Sequence, residues 1–130
     1  MGETKVKLEF GNEFEGTLLA GNGTVDIGRQ EGALGPYDLL LGALGACYYS
    51  TFLDIAKKMR LEFERAEIGI RGVKREEVPT TLKTVEILFT VFGAKGDKGF
   101  SRAAELAAKY CSVHETVSKV AEINLHLELV

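Results

Sequence analysis

Two residues in this 130-residue chain carry nucleophilic chemistry, Cys47 and Cys111, 64 positions apart. Two thiols are too few for a disulfide scaffold and too widely spaced for a zinc knuckle. They are either inert core residues or a redox pair. Cys47 falls about eleven residues inside an apolar segment that starts at Pro36. If that segment is helical, its own N-terminus is too distant to lower the Cys47 pKa. The plain reading is a small hydrophobe in a tight helix contact, because unpaired cysteine is among the most buried residue types. A reactive Cys47 needs a nearby cation, since burial alone raises a thiol pKa. Arg29 is one candidate, and Arg60, Arg65 and Arg71 are others.

Cys111 differs, because it falls where one helical pattern ends and the next begins. Amides at the start of the second helix would favour its thiolate, or it simply completes the apolar stripe Ala103-Ala107-Cys111. His114 follows three residues later, a spacing that suits a Cys–His nucleophile or half a metal site. Both need further groups, so an exposed helix histidine is the simpler expectation, and no metal site is assigned. His126 reads as a solvated residue on the polar face of a strand. Residues Gly28 to Gly35 lack both the phosphate-loop lysine spacing and the dinucleotide pattern, and read as a flexible lead-in to the helix. The cluster Lys74 to Glu77 reads as a solvated hairpin turn.

Composition narrows the function classes. Hydrophobic residues make up 45% and charged residues 27%, as in an ordinary folded chain with one core. Sixteen Lys+Arg against nineteen Asp+Glu give a net charge of -3, and no block of like charge exceeds two residues. That leaves no footprint for a phosphate backbone, so nucleic acid is not expected as a partner. The N-terminus alternates charged and apolar residues without the apolar core of a signal peptide. The uncharged run Leu39 to Leu53 has fifteen residues, short of the roughly 20 that cross a bilayer. A cytoplasmic protein is expected.

The elements that must position these cysteines follow from periodicity. Val6, Leu8 and Phe10 alternate with Lys5, Lys7 and Glu9 as in a half-buried strand. Further strands are expected over Phe14 to Leu19 and Thr24 to Ile27, making an antiparallel meander. Pro36 suits the first turn of a helix, and Asp38 there complements the helix dipole. The helix is expected to run to about Met59. Leu39 to Leu53 is apolar on every side, which implies burial all round. One small sheet cannot supply that, so a second copy of the chain is expected. Period two returns with Phe63, Ile68 and Ile70, and again with Val85, Ile87, Phe89 and Val91. Ser101 is positioned to cap a helix carrying Ala103, Ala104, Ala107 and Cys111, and a short helix Ser112 to Val120 precedes a last strand over Ile123 to Leu129. The fold class is α+β.

Two segments carry a family resemblance. Pro36-Tyr37-Asp38-Leu39-Leu40-Leu41-Gly42-Ala43-Leu44-Gly45-Ala46-Cys47 resembles the cysteine-bearing central helix of the OsmC/Ohr family. Ala107-Ala108-Lys109-Tyr110-Cys111-Ser112-Val113-His114 is similar to that family's second cysteine motif, and Phe14-Glu15-Gly16 through Gly21-Asn22-Gly23-Thr24-Val25 to its first hairpin. The resemblance implies a single OsmC-like domain over 1-130, with antiparallel sheets packed on a long buried central helix in an intertwined homodimer. It also implies a Cys-based peroxidase that reduces organic hydroperoxides and protects against oxidative stress. In that scheme Cys47 is the peroxidatic thiol, Cys111 the resolving one, and an external dithiol the reductant. No cofactor is implied.

This chain has Tyr37 where better-characterised members have a glutamate after the proline, with Asp38 one residue later. The family's hairpin arginine would fall near Ala20, so Arg29 and Asp38 are the expected activating partners. Ser112 stands where a proline often follows the second cysteine. Tyr37, Leu40, Tyr48 and Phe52 are the expected substrate contacts, their apolar surface suiting an organic peroxide. Two rivals accompany this reading: an OsmC-like small-molecule or lipid-binding dimer without peroxidase turnover, and a redox sensor or chaperone whose disulfide alters a partner surface.

Overall fold

The computed structural model describes residues 2–130. The chain divides into two compact units, one ending at Leu40 and the other running from Leu41 to Val130. In the first, strands β1 (Lys7–Phe10), β2 (Glu15–Ala20) and β3 (Gly23–Gly28) form the expected antiparallel sheet in the order β1-β2-β3. Its register sets Leu8 beside Leu18 and Leu18 beside Val25, so the apolar positions share a face. The half-burial expected of β1 is not found: Val6, Leu8 and Phe10 are 54%, 46% and 44% exposed. Alternation reports which side chains share a face, and burial needs a covering element as well. The loop after β3 is held more firmly than a flexible lead-in. Gly28 N–H donates to Leu34 O, and Leu34 N–H donates to Asp26 O.

Helix α1 (Pro36–Lys58) starts where the proline predicted. Asp38 reaches back so that its Oδ2 accepts the Gly35 N–H at 2.8 Å, satisfying a donor that the helix itself cannot. In the second unit the buried row of α1 is Leu44, Tyr48, Phe52 and Ala56, spaced by four. Within one chain burial is confined to one stripe, with Gly42, Ala43, Ala46 and Ser50 exposed. The helix is also long and apolar enough to cross a membrane by length and composition, which the fifteen-residue run understated. Its stripe is packed instead into the protein core. Gly45 allows α1 to lie close, since a Cβ there would sit 3.0 Å from Ile70 Cδ1.

The core is built on the second sheet. Strands β4 (Arg65–Lys74), β5 (Leu82–Phe92) and β6 (Glu122–Leu129) run in that order, with β5 central. Val85, Ile87, Phe89 and Val91 are all fully buried, as their alternation predicts. Phe63 falls outside this sheet, just before β4. β4 pairs antiparallel with β5, but β5 and β6 are parallel. The sheet is therefore mixed rather than antiparallel, because the β5–β6 connection carries α2 (Phe100–Tyr110) and α3 (Ser112–Ser118) and returns the chain in the same direction. Ser101 does not cap α2. Gly99 does so in a left-handed conformation with φ 91°, and the helix begins at Phe100 with no side-chain cap.

Candidate active site

Packing of α1 on α2 places the cysteines. The Tyr48 ring meets Phe89 edge-on at 5.4 Å, and Phe52 meets the same ring at 4.7 Å. Tyr48 O–H donates to Ala104 O on α2 at 3.0 Å. Tyr48 and Phe52 are fully buried and anchor α1 in the core. Cys47, the neighbour of Tyr48, stays half-buried at the edge of this cluster, while Cys111 is fully buried within it. Both thiols are free.

Cys111 is the residue just before α3, and its Sγ accepts the His114 N–H at 3.4 Å. It also completes the stripe of Ala103, Ala104 and Ala107, as the apolar reading of this residue expected. Cys47 comes to the same place from α1, with Sγ 3.8 Å from Ser112 Oγ. The Val113 N–H lowers the Cys47 pKa against the opposing effect of burial, aided by the Cys111 thiol and by the Ser112 hydroxyl and N–H. The amides at this helix start, expected to act on Cys111, act on both sulfurs, and on Cys111 burial outweighs them. Burial is the chief cause that raises the Cys111 thiol, with the nearby Cys47 sulfur adding to it and the His114 N–H opposing. The same surroundings thus lower the pKa of one thiol and raise that of its neighbour.

The remaining candidates divide by unit. Arg29 lies over the Phe14 ring at 5.6 Å, and Asp38 holds the start of α1, both within the first unit. In that unit Tyr37 is half-buried and Leu40 is 38% exposed. The donors at Cys47 come from residues 111 to 113, and sequence reasoning missed Ser112 and Val113 as site residues. The available signal was the helix start after Cys111, whose first N–H groups have no partner inside the helix. His114 is half-buried rather than exposed, and burial lowers its pKa. His126 is exposed and bonds Glu86 at 2.9 Å. An open cavity of about 720 Å³ lies farther along α1, lined by Tyr49, Leu53, Leu61 and Phe63 with Lys57 and Lys95.

The model of the family described as OsmC-like protein matches residues 28–126, a span that includes both cysteines. The chain belongs to the OsmC-like family. Protein YhfA of Escherichia coli strain K12 is 29% identical over 131 residues, covering 98% of each chain. A hypothetical protein from Aquifex aeolicus VF5 superposes with a TM-score of 0.90 at 28% identity, covering 100% of this chain and 98% of that one. The organic hydroperoxide resistance protein OhrB of Bacillus subtilis shares the fold more distantly, with a TM-score of 0.69 at 19% identity over 97% of this chain and 98% of that one. The OsmC-like assignment thus rests on most of the second unit and on the end of the first. The resemblance seen in the first hairpin lies before the matched span.

Proposed function

We propose that this OsmC-like chain is a thiol peroxidase acting on organic hydroperoxides, with Cys47 as the reacting sulfur and Cys111 as its resolving partner. The observation that carries the reading is the convergence of both cysteines on the start of α3, where Cys47 Sγ lies 3.8 Å from Ser112 Oγ and Cys111 Sγ accepts the His114 N–H. The surroundings there lower the Cys47 pKa and raise that of Cys111. The Cys47 thiolate attacks the terminal oxygen of ROOH, the O–O bond breaks, and the alkoxide leaves and takes a proton as ROH. Cys47 becomes a sulfenic acid. Cys111, losing its proton, attacks that sulfur, and hydroxide leaves as water while the disulfide closes. The two thiols lose two electrons and the peroxide gains them, and an external dithiol restores both. The family's association with hydroperoxide resistance, as in OhrB, agrees with this chemistry and with protection against oxidative stress.

The reading includes one OsmC-like domain, a homodimer and a cytoplasmic location, without a metal or other cofactor. The exposed small residues of α1 and the exposed apolar face of the first sheet support a second copy. Intact mass after one equivalent of cumene hydroperoxide tests the chemistry. The expected result is loss of two hydrogens in the wild type and one added oxygen, trapped at Cys47, in Cys111→Ser. No oxidation in either protein overturns the peroxidase. The open cavity lined by Tyr49, Leu53 and Phe63 would then favour the small-molecule or lipid-binding dimer.

A further inference from the structure

The first N–H groups of α3 have identifiable acceptors. The His114 N–H donates to Cys111 Sγ, and the Glu115 N–H donates to Cys111 O at 3.0 Å. Those of Ser112 and Val113 lie ahead of them at the helix start, where no residue of α3 can accept them. Ser112 adds a side-chain donor, with its Oγ 3.8 Å from Cys47 Sγ, within hydrogen-bond range for a large, diffuse sulfur. Its peptide is fixed from the other side, because Thr116 Oγ1 donates to Ser112 O at 3.1 Å. Ser112 is solvent-exposed, so its hydroxyl is not locked away in the core.

We propose that Ser112 is a positioning residue for Cys47, holding that sulfur at the start of α3 through its hydroxyl. The inference rests on reading Cys47 as the reacting sulfur. It adds that a neutral hydroxyl donor orients that sulfur and stabilises its charge. Hydrogen bonds made to the charged form favour it over the neutral form, and each donor removed weakens that preference.

Substitution tests the hydroxyl. Ser112→Ala removes it and Ser112→Thr keeps it. The readout is the pH midpoint of iodoacetamide alkylation at Cys47, followed by mass of the Cys47 peptide in otherwise unchanged protein. The midpoint is expected to rise by about half a unit in Ser112→Ala, with Ser112→Thr near wild type. A purely structural role would lower the melting temperature without ordering the midpoints in this way. An unchanged midpoint in folded Ser112→Ala overturns the proposal, and so does a midpoint in Ser112→Thr raised as far as in alanine. Alkylation needs no peroxide, so ordered midpoints without peroxide consumption would sink the peroxidase and leave this inference standing.

Discussion

Cys47 in the middle of α1 and Cys111 at the α2–α3 junction carry the same functional group a hydrogen bond apart, yet their surroundings push them in opposite directions. The region around Cys47 is half-open, and the start of α3 meets its sulfur with amide and hydroxyl donors. The region around Cys111 is closed, with Phe100, Ala103 and Ala107 all excluded from solvent beside it. Burial penalises a charged sulfur, whereas donors aimed at it offset that penalty. The difference teaches that the direction of a thiol's pKa here is not a property of either motif alone. It is set where the apolar stripe of one helix delivers a thiol to the first amides of another.

The sharpest way to break this asymmetry is to exchange the thiols for hydroxyls one at a time. Cys47→Ser is expected to abolish dithiol-dependent consumption of cumene hydroperoxide, by roughly a hundredfold or more, since no sulfur then reaches the peroxide. Cys111→Ser is expected to keep the first oxidation and lose the disulfide. Steady-state peroxide consumption and a single-turnover mass measurement separate the two. Peroxidase activity that survives Cys47→Ser would remove the active role from α1.

A smaller effect is expected in the order of labelling. Because the Cys47 pKa is lowered and the Cys111 pKa raised, Cys47 should be alkylated first across neutral and mildly alkaline pH. The rate ratio in the folded chain is expected to be on the order of 10 or more, for both charge state and access favour Cys47. The ratio should collapse toward one in denaturant, where both thiols return to the ordinary value. Peptide mass after timed quenching reads both rates. Equal rates in the folded protein would show that the start of α3 does not distinguish the sulfurs.

Tyr48→Phe sharpens the comparison from the packing side. It deletes the hydroxyl that ties α1 to Ala104 O and leaves that buried carbonyl without this donor. The expected loss is about 1 kcal/mol in urea unfolding, the usual net cost of such a bond. Burial pushes the Tyr48 hydroxyl up, with Cys111 adding to the effect, so it stays a donor throughout the working pH range. An unchanged unfolding midpoint would mean that ring packing on Phe89 alone holds the two cysteine-bearing regions in register.

Much of this arrangement was legible in the residues. The alternation of Val85, Ile87, Phe89 and Val91 marked the buried face of β5, and Pro36 marked the start of α1. The stripe Ala103-Ala107-Cys111 correctly placed Cys111 in the core. What periodicity could not provide was direction and partnership. A strand reads the same whether its neighbour runs parallel or antiparallel, so the reversal at β6 depended on the helices inserted before it. The apolar length of α1 implied burial all round with a second copy, and one chain by itself covers only the four-spaced row. The donors at Cys47 were hidden for a related reason. They belong to residues more than sixty positions away, and for the backbone donors among them a side-chain motif does not record where an amide points. Asp38, read first as an activating partner, shows a contact of its own at Gly35, which a helix-start pattern of spacing three does record.

The smallest expected effect concerns His114, whose N–H already serves Cys111. Its side chain is half-buried, and desolvation lowers its pKa against the opposing charge of Glu115. The folded chain therefore takes up a proton at lower pH than the unfolded chain, whose histidine titrates near 6.5. Above that value both states are neutral and His114 contributes no pH dependence. As pH falls through it, the unfolded state binds more protons, so stability declines until the lowered folded pKa has been passed. Solvent screens a half-exposed ring, so the acid-side loss should be modest, on the order of 1 °C in Tm. His114→Gln is expected to flatten that part of the Tm-against-pH curve while leaving the Cys47 alkylation midpoint in place. A flattened curve with an unmoved midpoint would assign the acid response to the histidine and the thiolate to its amide and hydroxyl donors. If the midpoint moved with the substitution, the imidazole would belong among the groups that set the charge of Cys47, and the contrast between the two sulfurs would no longer rest on burial and hydrogen bonds alone.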